Sequence, residues 1–125
     1  MYEISVEHTF AAGHALRGYK GKCENVHGHN YKVQVTVAGE KLDSTGLLID
    51  FIDLRAAIRE LAERLDHRFM NDVPPFDQIN PSAENMARYF ADAIDAQVRP
   101  HGVHIASVKV WETETTSATY IPTAS

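Results

Sequence analysis

Apolar residues alternate with polar ones in two stretches of the chain, residues 2–12, where His8 shares the apolar parity, and residues 27–38. In the first stretch they are Ile4, Val6 and Phe10, and in the second they are Val33, Val35 and Val37. A period of two is typical of a β-strand with one buried face. We therefore predict two strands, with His27 and His29 on the valine face of the second and His14 at the end of the first, in the parity of Ala12.

Two later stretches have apolar residues at intervals of three and four, which is the period of an amphipathic helix. Asp50 and Ser82 precede these stretches, and side chains of this type cap the first turn of a helix. We predict that the first helix ends near Asp66-His67 and that Pro100-His101-Gly102 stops the second. The predicted inward-facing residues are Leu54, Ile58, Leu61 and Leu65 in the first helix and Met86, Phe90, Ala93, Ile94 and Val98 in the second.

Residues 103–112 and 117–121 are predicted to form two more strands. The order strand, strand, helix, helix, strand, strand predicts an α+β fold, with both helices on one face of a four-stranded antiparallel sheet. A chain of this size is expected to form a single domain over residues 1–125. Long sheet edges without a partner strand invite pairing between subunits, so we expect a homo-oligomer in which sheets join.

Composition excludes several classes of protein. Hydrophobic residues make up 44% and charged residues 23% of the chain, which is ordinary for a soluble globular protein. The sequence has neither an apolar run long enough to span a membrane nor the features of a signal peptide at its start. A net charge of −5 makes the chain a poor non-specific binder of nucleic acid. Its one cysteine cannot form an internal disulfide, which agrees with a reducing cytoplasm.

Three histidines are candidate ligands of a metal ion. Residues two apart on a strand point to the same side, so His27 and His29 can share one ion, and His14 on the neighbouring strand can complete the set. Neutral imidazoles are common ligands of Zn²⁺, and three protein ligands leave the fourth tetrahedral position open for water or substrate. The pattern therefore predicts metal-assisted chemistry on a small molecule.

The loop between the first two predicted strands carries Cys23 and a group of cations. The thiol can close the metal site as a fourth ligand, or it can act beside the metal as a base or nucleophile. A third interpretation, a small buried apolar residue, is disfavoured by the charged neighbours Lys22 and Glu24. Arg17, Lys20 and Lys22 either form a solvated loop or guide an anionic substrate toward the metal.

Two further positions can carry chemistry. Asp66 can orient one imidazole nitrogen of His67 and leave the other free to move a proton, provided that the helix ends there; otherwise the pair is a surface feature. Glu112 shares a predicted strand face with Val108 and Val110, and a carboxylate there is costly unless it is paired. It either accepts two N–H bonds from a guanidine-like heterocycle or reaches solvent at the strand end.

Seven motifs along the chain have a familiar order. They are Phe10-Ala-Ala-Gly-His14, Cys23-Glu-Asn-Val-His27-Gly-His29-Asn-Tyr31, Gly46-Leu-Leu-Ile-Asp50-Phe51, Leu65-Asp-His67, Met70-Asn71-Asp72, Asn80-Pro-Ser-Ala-Glu84-Asn85 and Trp111-Glu112-Thr113. Together they resemble the 6-pyruvoyl-tetrahydropterin synthase superfamily, most closely its 6-carboxy-tetrahydropterin synthase branch of bacterial queuosine synthesis. The three residues between Cys23 and His27 are similar to that branch, whereas Glu24 stands where another branch uses a glutamate instead of the cysteine.

The resemblance implies a role for each candidate. It implies zinc ligands at His14, His27 and His29, a proton acceptor at Cys23, a proton relay at Asp66 and His67, and a pterin anchor at Glu112. It also implies the tunnelling fold, whose sheets join into a barrel between subunits, commonly as a hexamer of two stacked trimers with active sites between chains.

The implied reaction is a zinc-dependent carbon–carbon cleavage. It converts 7,8-dihydroneopterin triphosphate to 6-carboxy-5,6,7,8-tetrahydropterin and releases acetaldehyde and triphosphate. The alternatives within enzymes are formation of the 6-pyruvoyl product and an aldolase-like cleavage of dihydroneopterin. The alternative from a different class is a non-enzymatic, zinc-stabilised oligomer in which Cys23 closes the coordination shell.

Overall fold

A computed structural model describes residues 1–18 and 27–123 of the chain. Its strands are β1 (Tyr2–His14), β2 (His27–Gly39), β3 (His104–Trp111) and β4 (Ser117–Tyr120), and its helices are α1 (Phe51–Glu63) and α2 (Ala83–Val98). Short 3-10 turns cover Met70–Asp72 and Arg99–His101. The predicted order of elements is confirmed, although α1 ends at Glu63, a few residues before the predicted Asp66-His67.

The four strands form one antiparallel sheet in the order β1-β2-β3-β4. β1 and β2 pair over their full 13 residues, from Tyr2 opposite Gly39 to His14 opposite His27. The predicted α+β fold with a four-stranded antiparallel sheet and two helices is therefore confirmed. The joining of sheets between subunits concerns partner chains and stays a prediction.

Both helices cover the same face of the sheet, and the core lies between the two layers. The valines of β2 and the inward residues of the helices are almost completely removed from water. Each helix begins at the predicted cap: the Asp50 carboxylate accepts from the Ile52 N–H at 2.8 Å, and the Ser82 hydroxyl accepts from the Asn85 N–H at 3.1 Å. A cap of this kind contributes about 1 kcal/mol to stability.

The other face of the sheet is polar. The Ser5 and Thr36 hydroxyls are 2.7 Å apart, and the Lys32 ammonium lies 3.9 Å from the Glu7 carboxylate and 4.2 Å from the centre of the Trp111 ring. Neither helix of the described ranges has the length and apolar character needed to cross a membrane.

Candidate metal centre

The three predicted histidines meet on the helix-covered face of the sheet, at the end of β1 and the start of β2. In the register of these strands His14 lies opposite His27, and Ala12 lies opposite His29. Cross-strand partners point to the same face of a sheet, so the parity of the sequence brings the imidazoles together. The ring centroids are 4.5 Å apart for His14 and His27, 4.7 Å for His27 and His29, and 5.2 Å for His14 and His29.

A carboxylate completes this group. One Glu112 oxygen lies 2.9 Å from Nε2 of His14 and 3.6 Å from Nε2 of His29. One candidate ligand atom from each of the four residues lies within 4.8 Å of the others. The prediction that Glu112 lies in the strand is wrong by one residue: β3 ends at Trp111, and the Glu112 N–H donates to the Thr116 carbonyl at 3.1 Å in the connection to β4.

The orientation of the His14 ring is set by a backbone carbonyl. Its Nδ1 lies 2.8 Å from the carbonyl oxygen of Pro81, and the side chain is buried. A carbonyl only accepts, so Nδ1 carries a proton and Nε2 is the nitrogen directed toward the centre. There Nε2 faces Nε2 of His27 at 2.9 Å as well as the Glu112 carboxylate. Such a convergence of acceptor atoms is favourable when a proton or a metal cation lies between them.

His29 has the properties of a neutral ligand. Burial lowers its pKa, and the nearby Glu112 carboxylate offsets this effect only in part. Its Nε2 is buried and has no hydrogen-bond partner among the described residues. A buried polar atom without a partner costs about 1–3 kcal/mol, and a bound cation removes that cost. Three imidazoles and one carboxylate are a donor set that zinc accepts, so these residues fit a metal ion.

A second buried polar atom lies next to the histidines. The Tyr31 hydroxyl is buried and has no hydrogen-bond partner within residues 1–18 and 27–123. Burial, and after it the negative charge of Glu112, raise the pKa of Tyr31 far above its ordinary value, so the ring stays neutral.

Asp66 and His67 face each other because α1 has ended before them. The Asp66 carboxylate lies 3.1 Å from Nδ1 of His67 and accepts from the Ala11 N–H at 3.0 Å. The pKa of Asp66 lies below its ordinary value: the Ala11 N–H lowers it most, burial opposes this effect in part, and the neighbouring His67 lowers the pKa further. The adjacent pair can meet because His67 has a left-handed backbone, with φ of 59°.

His67 belongs to the wall of an open cavity beside the histidine group. Its N–H donates to the Ala11 carbonyl at 2.6 Å, which fixes the turn after α1 to the outer edge of β1. The cavity has a volume of about 490 Å³, and its lining includes His67, His29 and Asn30. The His67 side chain is 82% exposed. A pair with one nitrogen held by a carboxylate and the other free suits proton transfer.

The remaining candidates divide into two groups. Arg17 donates to the carbonyl oxygens of Phe76, Asn71 and Ile79 at 2.8, 3.1 and 3.3 Å, which favours a structural role for this cation. Cys23, Glu24, Lys20 and Lys22 lie outside the described residues. One contact that the sequence does not predict is the Pro81 carbonyl on His14, and because it is a backbone atom, no side-chain pattern could reveal it.

Comparison with known proteins defines the class. Residues 3–123 match the family model described as 6-pyruvoyl tetrahydropterin synthase. The chain is 34% identical over 125 residues to the 6-carboxy-5,6,7,8-tetrahydropterin synthase of Synechocystis sp., covering 96% of this chain and 93% of that protein. It is 41% identical over 104 residues to the human 6-pyruvoyl tetrahydrobiopterin synthase, covering 80% and 70%. The solved structure of Caenorhabditis elegans 6-pyruvoyl tetrahydropterin synthase superposes with a TM-score of 0.83, at 27% identity and 98% coverage of both chains.

Fold and site thus define an α+β protein of the pterin synthase class, with a group of histidine and glutamate side chains that can hold a metal ion. The chain belongs to the 6-pyruvoyl tetrahydropterin synthase family. The predicted resemblance and the predicted enzyme class, a lyase-type pterin synthase, are confirmed. Relatives named for two different products match the chain, so their names leave the product open.

Proposed function

We propose that this protein is a zinc-dependent lyase that converts 7,8-dihydroneopterin triphosphate and one water molecule to 6-carboxy-5,6,7,8-tetrahydropterin, acetaldehyde and triphosphate. The product would serve queuosine biosynthesis. The observation that carries the proposal is the convergence of three imidazoles and one carboxylate on a single point beside an open cavity. The cavity offers space for a planar pterin, and a metal ion held beside it would bind oxygen atoms of the substrate side chain.

Two features favour the 6-carboxy product. Cys23 and His27 are separated by three residues, which resembles the 6-carboxy branch. Relatives with that name also align over nearly the whole chain, as the Synechocystis enzyme does. The 6-pyruvoyl product is the second candidate, because the human enzyme named for a 6-pyruvoyl product has 41% identity over 104 residues.

His14, His27 and His29 are the proposed zinc ligands. The Pro81 carbonyl holds the His14 tautomer that exposes Nε2, and the lowered pKa of His29 keeps its ring neutral, as metal binding requires. Zinc, when bound, supplies a Lewis acid that stabilises negative charge on oxygen atoms of the substrate.

Glu112 is the proposed anchor of the pterin ring. Its carboxylate can accept from the amino group and the ring N–H of a pterin, which together present two parallel donors. Since it also lies within reach of the three histidines, Glu112 is the competing candidate for a fourth ligand. Glu112→Gln separates the roles: an anchor predicts weaker pterin binding with unchanged zinc affinity. A loss of zinc affinity with normal pterin binding would contradict the anchor.

Proton transfer is assigned to Cys23 and to the pair of Asp66 and His67. The thiolate of Cys23 takes a proton from the substrate side chain, and His67, oriented by the Asp66 carboxylate, returns one. Cys23→Ala is expected to lower turnover by about 10²–10⁴-fold while zinc stays bound. Loss of zinc from this variant would instead identify Cys23 as a ligand.

We propose a homohexamer with active sites between subunits, in which the metal and the relay of one site need not come from one chain. If they come from different chains, His27→Ala and His67→Ala remove different halves of each site, and mixed oligomers of the two variants regain activity. Absence of any recovery in oligomers shown to be mixed would place both halves in one chain.

The deciding experiment is incubation of the zinc-loaded protein with 7,8-dihydroneopterin triphosphate, followed by mass spectrometry of the pterin. We expect 6-carboxy-5,6,7,8-tetrahydropterin together with acetaldehyde. The 6-pyruvoyl product or an aldolase-like cleavage product would overturn the specific reaction. Unchanged substrate over fully zinc-loaded protein would favour the zinc-stabilised oligomer.

A further inference from the structure

Two asparagine side chains hold the backbone that follows His14. Oδ1 of Asn71 accepts from the Ala15 N–H at 3.0 Å, and its Nδ2 donates to the Ala15 carbonyl at 2.8 Å. Asn80 makes the same pair of bonds to Arg17, each at 2.9 Å. Each amide thus occupies both backbone groups of one residue, as a neighbouring strand would do. We call this arrangement the asparagine clamp.

The clamp is reinforced from both sides. The Arg17 guanidinium donates to three carbonyl oxygens of the segment between Asn71 and Asn80. Nδ2 of Asn85 donates to the Asn80 carbonyl at 2.9 Å, which ties the second amide to the first turn of α2. Asn71 is buried, with 8% of its surface exposed, so its bonds lie in a region with little competition from water.

His14 lies within this bonded frame. The clamp fixes Ala15 directly after His14, and Pro81, which accepts from Nδ1 of His14, directly follows Asn80. Release of either amide frees the backbone on one side of the ring, while the remaining bonds of β1 hold the other side. The orientation of Nε2 then depends on the clamp, because the Nδ1 contact is made to the same segment.

We propose that Asn71 and Asn80 are positioning residues for the metal centre: they align the His14 imidazole on the point shared with His27 and His29. The proposal rests on the proposed function only in that a metal ion binds there. Outer-shell contacts that orient a ligand typically change metal affinity by about 10–100-fold when they are removed.

The test uses Asn71→Ala and Asn80→Ala in the full chain, with zinc affinity measured by competition against a chromophoric chelator. We expect affinity to fall by about 10–100-fold and the visible spectrum of the cobalt-substituted protein to change. Asn80 is only partly buried, so Asn80→Ala keeps the test available if Asn71→Ala fails to fold. Asn71→Asp and Asn80→Asp retain the acceptor but not the donor and should give intermediate affinities.

Asp50→Ala is the matched control. It removes a side-chain bond to a backbone N–H at the start of α1 and so lowers stability without touching the clamp. Affinity and spectrum should match those of the wild type. Wild-type affinity in both asparagine variants would overturn the proposal, and an equal loss in Asp50→Ala would attribute the effect to stability alone.

A metal-free measurement separates this proposal from the proposed function. The Nδ1 proton of His14 should be protected from exchange in the nuclear magnetic resonance spectrum of the wild-type protein, because it is buried and bonded to Pro81. Exchange should accelerate in both asparagine variants. If the Nδ1 proton of His14 exchanges at the same rate in the variants and the wild type, the positioning role of the clamp is overturned, even if zinc binds. If the wild-type protein binds no zinc, the proposed function is refuted, and the exchange rate still tests the clamp.

Discussion

The two halves of β2 share one face of the sheet but differ in what they bury. Val33, Val35 and Val37 in the second half have no exposed surface and belong to the apolar core. In the first half the same parity carries His27 and His29, whose imidazoles meet His14 and Glu112. Pairing with β1 is continuous over both halves, whereas β3 pairs only with residues 32–38, the part of β2 that carries the valines.

The difference lies in free energy. Burial of the valine half gains about 0.8 kcal/mol for each buried methylene group and leaves no polar atom without a partner. In the histidine half two side-chain atoms, Nε2 of His29 and the hydroxyl of Tyr31, are buried without a hydrogen-bond partner in the described structure. A sheet face on which several acceptor atoms converge and some polar atoms have no partner contributes little to stability, but it is well suited to binding a cation. The apolar half supplies the stability that allows this arrangement to persist.

The largest expected effect comes from His27→Ala, which removes one of the three imidazoles. We expect zinc affinity to fall by more than about 100-fold, beyond the range for outer-shell changes. Because a ligand stabilises only the state that binds it, zinc at 100 times its dissociation constant should raise the unfolding free energy of the wild type by about 2.7 kcal/mol and that of His27→Ala by almost nothing. Chemical denaturation with and without zinc measures both values.

Val35→Ala in the other half of the strand serves as the control, and it should keep the full increment from zinc. If zinc raises the unfolding free energy of His27→Ala as much as that of the wild type, His27 is not a metal ligand, and the two halves of β2 do not differ in metal binding.

The second-largest effect is expected at His67, which lies close to the histidine half of β2 but outside β1 and β2. His67→Ala should lower turnover by about 10²–10⁴-fold, the usual contribution of a positioned acid or base. Zinc affinity and the free energy of unfolding should change little, because the side chain is mostly exposed. Steady-state kinetics beside a chelator titration separates these quantities, with His101→Ala, an exposed histidine far along the chain, as the matched variant. Unchanged turnover would exclude the relay.

The sequence predicts much of both halves, for different reasons. The alternation of apolar and polar residues was enough to predict the valine half, because a period of two indicates a strand with one buried face. The same parity placed His14, His27 and His29 on one face, and the full-length pairing of β1 with β2 brought them together. Residue types could not reveal that Pro81 orients His14, because any residue has a carbonyl. The asparagine clamp was equally hidden, since its pairs are separated by 56 and 63 residues along the chain.

A smaller effect is expected in the apolar half. Val35→Ala removes two methyl groups from a fully buried site and should lower the unfolding free energy by about 2 kcal/mol, including the cavity that remains. Val37→Ala is a matched variant on the same face and should cost a similar amount. Denaturation of the zinc-free protein measures this value. A cost below about 0.5 kcal/mol, typical of a surface position, would show that the valine half is not the main source of stability.

The smallest expected effect is the pH dependence of the unfolding free energy. It tests whether Asp66, beside the histidine half of the sheet, stabilises the fold without metal. The folded state holds the pKa of Asp66 below its ordinary value of 3.8, chiefly through the Ala11 N–H. A carboxyl group with a lowered pKa stabilises the folded state above its unfolded pKa, and this contribution disappears as pH falls through the folded pKa.

Asp66→Asn keeps an acceptor for the Ala11 N–H but cannot titrate. The difference in unfolding free energy between wild type and Asp66→Asn, measured without metal, should therefore be greatest near pH 7 and shrink below about pH 3.8. Because the side chain is 37% exposed, solvent screens the interaction and the difference should stay below that of Val35→Ala. A difference that is constant with pH would mean that the charge of Asp66 does not stabilise the fold.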